Sequence, residues 1–175
     1  MNSAAPTTRA EYWDKYKPHR GQGDQPRPTA RAFDWTGLAD GGPGAEVLGD
    51  PATALDLGPA EGENAAGPFA GVEVTAVDFS AVQIERARRF WADEPRLTSV
   101  HAEACAYLDE GTSRFEAIYS TWGAVWFTDP EELFPRIDAR LSPGGGFAFS
   151  HREPIAGSTA PSGWAGNGWR AARAS

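Results

Sequence analysis

The sequence lacks several features that would indicate particular classes of protein. Its 175 residues include one cysteine, Cys105, which excludes an internal disulfide and any metal site built from several cysteines. No apolar run approaches the roughly 18 residues that a membrane-spanning helix needs. The first twenty residues, MNSAAPTTRAEYWDKYKPHR, contain no apolar signal-peptide core. These absences make the cytoplasm the expected location.

Positive charge is also scarce. Sixteen Lys and Arg residues against 24 Asp and Glu give a net charge of −8 and a sequence pI of about 4.9. Because the chain has no basic cluster, neither nucleic acid nor an anionic membrane surface is an expected partner. The length fits a single domain with one hydrophobic core.

The chain is organised around residues 54–62, which read ALDLGPAEG. An apolar strand at 54–57 leads into a small-residue turn at 58–62, and a helix opens at Asn64. A strand, a glycine turn and a helix N-terminus in this order are typical of nucleotide-cofactor sites. A second strand ends in Asp78, 22 residues after Asp56. At about that distance such folds place a carboxylate that binds ribose hydroxyls.

Strands and helices alternate along the rest of the middle of the chain. Ser80 is the predicted N-cap of a helix that Pro95 closes, and Asp129 is the predicted N-cap of a helix running to about residue 141. Further strands are predicted at 97–102, 115–120 and 147–150. This alternation predicts a doubly wound α/β domain with about five strands, a mostly parallel sheet and helices on both faces.

The two ends of the chain differ from its middle in composition. Proline, glycine and charged residues crowd there, so we expect a flexible N-terminal arm at 1–45, a cofactor-binding domain at 46–152 and an irregular tail at 153–175. Within the arm, a short helix at 9–16 would present Tyr12, Trp13 and Tyr16 on one side. These aromatic residues indicate either a lid over a site or anchors that hold the arm to the domain surface.

Taken together, the ordered segments resemble the class I S-adenosylmethionine-dependent methyltransferases of the small-molecule type. The segments are ALDLGPAEG, VTAVDFS, HAEAC, FEAIYSTWGAVWFTDPEELF and LSPGGGFAFSH, and the resemblance covers about residues 50–152. It implies a Rossmann-like methyltransferase fold with S-adenosylmethionine as cofactor. It also implies methyl transfer to a small-molecule acceptor by direct displacement, without a metal.

The same resemblance implies cofactor contacts at the turn and at the strand ends. Those residues are Asp56, Gly58, Ala60, Gly62, Asp78, Phe79, Glu103, Ala104 and Ser120. The turn would lie along the methionine part, with Asp56 facing its amino group. Asp78 would bind the ribose hydroxyls, and Glu103 would accept from the adenine amino group. The region 120–127 would line the space where the acceptor meets the methyl group, and no catalytic residue is assigned.

The sequence departs from the family pattern in two places. The family turn usually reads D-x-G-x-G-x-G, whereas this chain has Pro59 and then Ala60 at the second glycine position. A methyl group there is costly if φ is positive. The family also has two further strands after the fifth, so we expect this chain to be truncated at its C-terminus. An unpaired edge on the fifth strand would be a liability for self-association.

Two other interpretations remain open at this point. A degenerate family member could keep the fold without catalysis, either as a binding or dimerisation partner or as a broken gene product. A nicotinamide dehydrogenase shares the strand, turn and acid arrangement, although the G-x-G-x-x-G spacing of that class is absent.

Overall fold

The computed structural model describes residues 9–16, 33–35, 43–67, 71–151 and 168–173. Helices and strands alternate through most of this range. The helices are α1 (Arg9–Lys15), α2 (Glu63–Ala66), α3 (Ala81–Phe90), α4 (Ala104–Glu110), α5 (Ala124–Phe127) and α6 (Pro130–Arg140). The strands are β1 (Thr53–Leu57), β2 (Glu73–Asp78), β3 (Leu97–His101), β4 (Phe115–Thr121), β5 (Leu141–His151) and β6 (Gly168–Arg173). A short 3₁₀ helix, Ala45–Leu48, precedes β1.

The strands form one sheet in the order β3-β2-β1-β4-β5-β6. The pairings from β3 to β5 are parallel. This confirms the predicted doubly wound α/β domain with five parallel strands. The order reverses beside β1, and in open sheets of this kind ligands bind outside the carboxyl ends of the strands at such a point.

The C-terminal tail contains regular structure that the sequence did not indicate. Residues 168–173 form β6, which pairs antiparallel with β5, for example Phe147 with Ala172. The prediction of an irregular tail is therefore wrong for these residues. Because β6 covers β5, the edge that was expected to be unpaired lies inside the sheet. Residues 168–173 read GWRAAR, which lacks the alternation of apolar and polar residues that indicates a strand.

Local sequence signals account for the helix starts. The Ser80 hydroxyl caps α3 by accepting from Gln83 N, and the Asp129 carboxylate caps α6 by accepting from Glu131 N. Both predicted N-caps are confirmed. Helix α2 has four residues and ends before Gly67, as the following proline requires. The predicted turn at 143–146 is part of β5, where one residue of β4, Glu116, lies opposite the four residues 142–145 of β5.

Apolar residues fill both faces of the sheet. On one face, α4 and α6 pack over residues such as Leu55, Ile118 and Phe147. On the other face, Phe33 and Trp35 join the cluster around Ala54 and Tyr119. The segment 33–35 lies before the boundary predicted at residue 45, yet its aromatic rings are part of the core. Among the helices that the structure describes, none is long and apolar enough to cross a membrane.

The core position of Trp35 can be tested by mutation. Trp35 is 1% exposed, and its indole donates to Gly44 O at 3.0 Å. We expect W35A to lower the free energy of unfolding by about 3–5 kcal/mol, because it removes a fully buried aromatic ring. Denaturant unfolding measures this change.

Tyr12 provides the control, since it is 53% exposed, and Y12A should change the free energy of unfolding by only about 0.5 kcal/mol. A loss in W35A no larger than that in Y12A would show that segment 33–35 does not belong to the core.

Candidate functional site

A cleft opens at the carboxyl ends of β1 to β4. It holds about 570 Å³ of space counted out to its open mouth. Its lining comes from five parts of the chain. These are the β1–α2 turn (Gly58, Ala60), the end of β2 (Val77, Asp78, Phe79), the end of β3 (Ala102, Glu103, Ala104), the β4–α5 region (Trp122, Gly123, Ala124, Phe127, Thr128) and α1 (Trp13).

Gly58 lies where the β1–α2 turn touches the β4–α5 loop. Its φ is +84°, and a Cβ there would lie 2.5 Å from Ala124 N. Gly123 faces it, and a Cβ at that position would overlap the carbonyl oxygen of Leu57. Both positions therefore require glycine, because any side chain would push the two loops apart.

Ala60 adopts the left-handed conformation that glycine usually takes at this position. Its φ is +50°, which costs an alanine about 1–2 kcal/mol. The Ala60 N–H donates to Asp78 Oδ2 at 3.0 Å. The residue also lines the cleft. Alanine in place of glycine at residue 60 thus strains the backbone of the turn, while the hydrogen bond between the turn and Asp78 is kept.

Three N–H groups of the turn donate within the protein. Gly58 N donates to Val77 O, Gly62 N donates to Pro59 O, and Ala60 N donates to Asp78. Pro59 has no N–H to offer. A pyrophosphate binds to outward-facing N–H groups of such a turn, so this arrangement disfavours the nicotinamide interpretation.

Asp78 presents a buried carboxyl group to the cleft. Its Oδ1 accepts from Ser80 N at 2.8 Å, while Oδ2 accepts from Ala60 N. Burial raises the pKa of Asp78, and the two backbone bonds offset part of that effect. Each carboxylate oxygen has two acceptor sites, so both oxygens retain capacity to accept from a ligand hydroxyl.

The end of β3 combines an acid with small apolar residues. Glu103 is the N-cap of α4, and its Oε2 accepts from Ala106 N at 3.1 Å. Ala102, Ala104 and Phe79 lie beside it in the lining. An acid flanked by apolar surface suits a flat heterocycle that carries an amino group. Among the described residues, no three His, Cys, Asp or Glu side chains gather closely enough to hold a metal ion.

The structure brings six of the residues that the sequence singled out to the cleft wall: Gly58, Ala60, Asp78, Phe79, Glu103 and Ala104. Three others do not line it. The Gly62 Cα faces the indole of Trp91, as shown by the 3.4 Å that would separate an added Cβ from its Nε1. The Ser120 hydroxyl donates to Leu57 O at 2.7 Å and joins β4 to β1.

Asp56 is the third of these residues, and it is fully buried. Side chains alternate along a strand, so Asp56 points to the same face as Tyr119, its partner on β4. Burial raises the pKa of Asp56 well above its usual range, and the Tyr119 hydroxyl close by offsets this only in part. Neither oxygen of Asp56 accepts a hydrogen bond of good geometry from the described residues. Asp56 is thus a core residue beside the turn.

Aromatic residues form the remaining wall. Trp122, in the region predicted to receive the acceptor, has a φ of +52° and lines the cleft with Phe127. Trp126 stacks on Phe127 at 5.5 Å between ring centroids. Trp13 also lines the cleft. The sequence indicated either a lid over a site or surface anchors for the aromatic residues of the arm, and it did not distinguish Trp13 from Tyr12 and Tyr16.

The sequence profile of the methyltransferase domain family matches residues 54–145, just over half of the chain. The chain belongs to this family. The matched segment contains every cleft residue described above except Trp13. No curated protein sequence matches the chain significantly.

Solved methyltransferase structures share the fold. One is a SAM-dependent methyltransferase from Thiobacillus denitrificans in complex with S-adenosyl-L-homocysteine, with a TM-score of 0.50, 23% identity and coverage of 57% of this chain and 42% of that chain. Another is the N-methyltransferase NodS from Bradyrhizobium japonicum, with a TM-score of 0.53, 16% identity and coverage of 60% and 56%. A SAM-bound amino pentose methyltransferase from Micromonospora echinaspora has a TM-score of 0.51, 19% identity and coverage of 61% and 45%. The match spans 42% to 56% of the length of these proteins.

The strain at Ala60 predicts that glycine is better there. We expect A60G to raise the free energy of unfolding by about 1 kcal/mol, because glycine adopts positive φ without a steric cost. Chemical denaturation measures the change. The matched control is A66G in helix α2, which should lower the free energy of unfolding by about 1 kcal/mol. Destabilisation by both variants would contradict the strained conformation of Ala60.

The raised pKa of Asp56 predicts a pH-dependent cost of folding. The folded protein favours the protonated carboxyl of Asp56. The contribution of Asp56 to the free energy of unfolding is therefore most favourable at acidic pH, and it is lost as the pH rises from the ordinary pKa of 3.8 to the raised pKa of the folded protein. In D56N this loss is absent. The free energy of unfolding of D56N should therefore increase relative to that of the wild type as the pH rises through this window, by about 1.4 kcal/mol per pH unit.

Urea unfolding at a series of pH values measures this gain. The control is D138N, because Asp138 is exposed on α6 and its replacement should change the free energy of unfolding by only about 0.5 kcal/mol. A constant difference for D56N across the pH series would show that Asp56 is charged in the folded protein.

Proposed function

We propose that the chain binds S-adenosylmethionine in the cleft and transfers its methyl group to a small-molecule acceptor by direct displacement. The observation that carries this proposal is the placement of two carboxylates, Asp78 and Glu103, beside an apolar wall and a turn whose Gly58, Ala60 and Gly62 N–H groups donate within the protein. The methyltransferase family of the chain agrees with it.

The chemistry of the lining fits the parts of this cofactor. Asp78 can accept hydrogen bonds from the ribose hydroxyls, because its backbone bonds leave acceptor sites open. Glu103 can accept from the adenine amino group, with Phe79 and Ala104 against the ring. Two acids also suit a ligand that carries positive charge on sulfur and on its amino group.

The cofactor supplies an activated methyl carbon on a positively charged sulfur. The work that remains for the chain is to orient the two reactants and exclude water. Gly58 and Gly123 bring the turn and the β4–α5 loop together, so the donor and acceptor sides meet at a fixed place. Trp122 and Phe127 provide apolar surface at the acceptor side. A general base is needed only when the acceptor is an unactivated hydroxyl or amine.

The second candidate function is a family member that keeps the fold without catalysis. The observation that favours it is the strained turn, where Ala60 has a positive φ and places a methyl group in the lining. If A60G binds the cofactor and the wild type does not, this second interpretation is supported and the wild-type activity is excluded.

Calorimetric titration with S-adenosylmethionine and S-adenosylhomocysteine tests the first proposal. We expect binding by the wild type and about tenfold weaker binding by D78N, because one carboxylate oxygen is replaced by an amide that cannot accept from the ribose. The control is E116Q, since Glu116 is an exposed carboxylate at the other end of β4. Equal affinities for D78N and E116Q would remove Asp78 from the site, and no heat at millimolar ligand would exclude binding altogether.

A further inference from the structure

The turn after β1 contains three residues with a left-handed backbone. Gly58, Ala60 and Gly62 have φ of +84°, +50° and +80°. The two glycines adopt this conformation without a steric cost, whereas Ala60 is strained in it. A strained backbone persists where the surrounding structure fixes it. The contacts between the turn and the rest of the chain therefore decide whether Ala60 keeps this conformation.

The C-terminal end of α3 binds the residue that follows Ala60. Trp91 is the C-cap of α3, and its indole Nε1 donates to Glu61 O at 2.7 Å. The same indole lies against Gly62, where an added Cβ would come within 3.4 Å of Nε1. Trp91 is not among the described residues that line the cleft. It can therefore act on a ligand there only through the turn.

The side chain of Glu61 is held by the same helix. Arg86 Nη1 lies 3.5 Å from Glu61 Oε1, and the two side chains are only 12% and 13% exposed. A pair so far removed from solvent is screened less by salt than a surface pair. Helix α3 thus contacts both the backbone and the carboxylate of Glu61.

These contacts place the strained residue between two anchors. On one side, Ala60 N donates to Asp78 Oδ2 at 3.0 Å. On the other side, Glu61 O accepts from Trp91. Both backbone torsions of Ala60 lie between these two atoms. If the indole N–H is removed, one anchor is lost and Glu61 O loses its hydrogen-bond donor.

We propose that Trp91 is a positioning residue for the cofactor, because its indole N–H fixes Glu61 and, with it, the left-handed conformation in which Ala60 forms part of the cleft wall. The inference rests on the proposed function, since the ligand whose affinity depends on this wall is S-adenosylmethionine or its demethylated product. Glycine at residue 60 would need less support, because it adopts positive φ freely. The effect of Trp91 on binding therefore depends on the residue at position 60.

Amide hydrogen exchange of Ala60 N–H, followed by NMR, tests the contact without any ligand. We expect this exchange to be about tenfold faster in W91F than in the wild type, because phenylalanine cannot donate to Glu61 O and the turn opens locally more often. The control is R88M. Arg88 lies on the same helix and also donates to a backbone carbonyl, but that carbonyl is Ser99 O in β3, at 2.7 Å from Nη2. R88M should leave the exchange of Ala60 N–H unchanged.

Calorimetric titration of S-adenosylhomocysteine tests the coupling between Trp91 and Ala60. We expect W91F to bind about fivefold more weakly than the wild type, because a smaller fraction of the protein has the turn in the binding conformation. In the A60G background the same substitution should weaken binding less than about twofold. A role of Trp91 in general stability would weaken binding equally in both backgrounds. R88M should bind like the wild type.

The outcomes separate this inference from the proposed function. Unchanged exchange of Ala60 N–H in W91F, or equal weakening of binding by W91F with alanine and with glycine at residue 60, would overturn the positioning role and leave cofactor binding intact. No binding by the wild type would overturn the proposed function and the inferred effect on affinity, while the exchange rate would still decide whether Trp91 holds the turn. Faster exchange in W91F together with weaker binding that A60G rescues would support the whole inference.

Discussion

The carboxylate of Asp78 is the link on which the arrangement of the cleft depends. Its two oxygens accept from Ala60 N in the turn after β1 and from Ser80 N before α3. The Ser80 hydroxyl caps α3 and donates to Asp14 Oδ1 on α1 at 2.5 Å. One side chain at the end of β2 therefore fixes the turn directly and, through Ser80, connects to the helix that carries Trp13.

This link has an electrostatic cost that a suitable ligand offsets. Asp78 is buried, and its pKa is raised because burial disfavours the charged form. Glu103 adds a second acid to the same lining. A cationic ligand in the cleft would interact favourably with both carboxylates and would offset part of the cost of burying Asp78. The charge preference of the cleft is thus built from the same residues that shape it.

The sequence contains local signals for the part of the fold that was predicted. Apolar runs ended by glycine or acid predict the parallel strands, and Ser80 and Asp129 mark the helix starts. Its distance from the turn after β1 predicted Asp78 as a site residue, whereas Glu103 was named only by the resemblance to the methyltransferase family. Asp56 lies inside a strand, where alternation turns it into the core, so the family pattern alone misplaced it relative to the cleft.

The parts that escaped prediction depend on contacts between distant residues. Phe33 and Trp35 enter the core from a segment without periodicity, and nothing in their neighbours indicates the cluster they join. Strand β6 forms by pairing along β5. Trp13 reaches the cleft because α3 holds the end of its helix. Each of these features is set by tertiary packing, which local propensity does not encode.

The contact between Gly58 and Gly123 limits how the specificity of this site can be changed. The two loops meet backbone against backbone, so a side chain at either glycine would displace the β1–α2 turn and the β4–α5 loop together. Under the proposed function, variants for a different acceptor must therefore keep both glycines and alter the rings around them, such as Trp122 and Phe127. In this site, the two glycines would set the alignment of the reactants, and the aromatic rings would set which acceptor is bound.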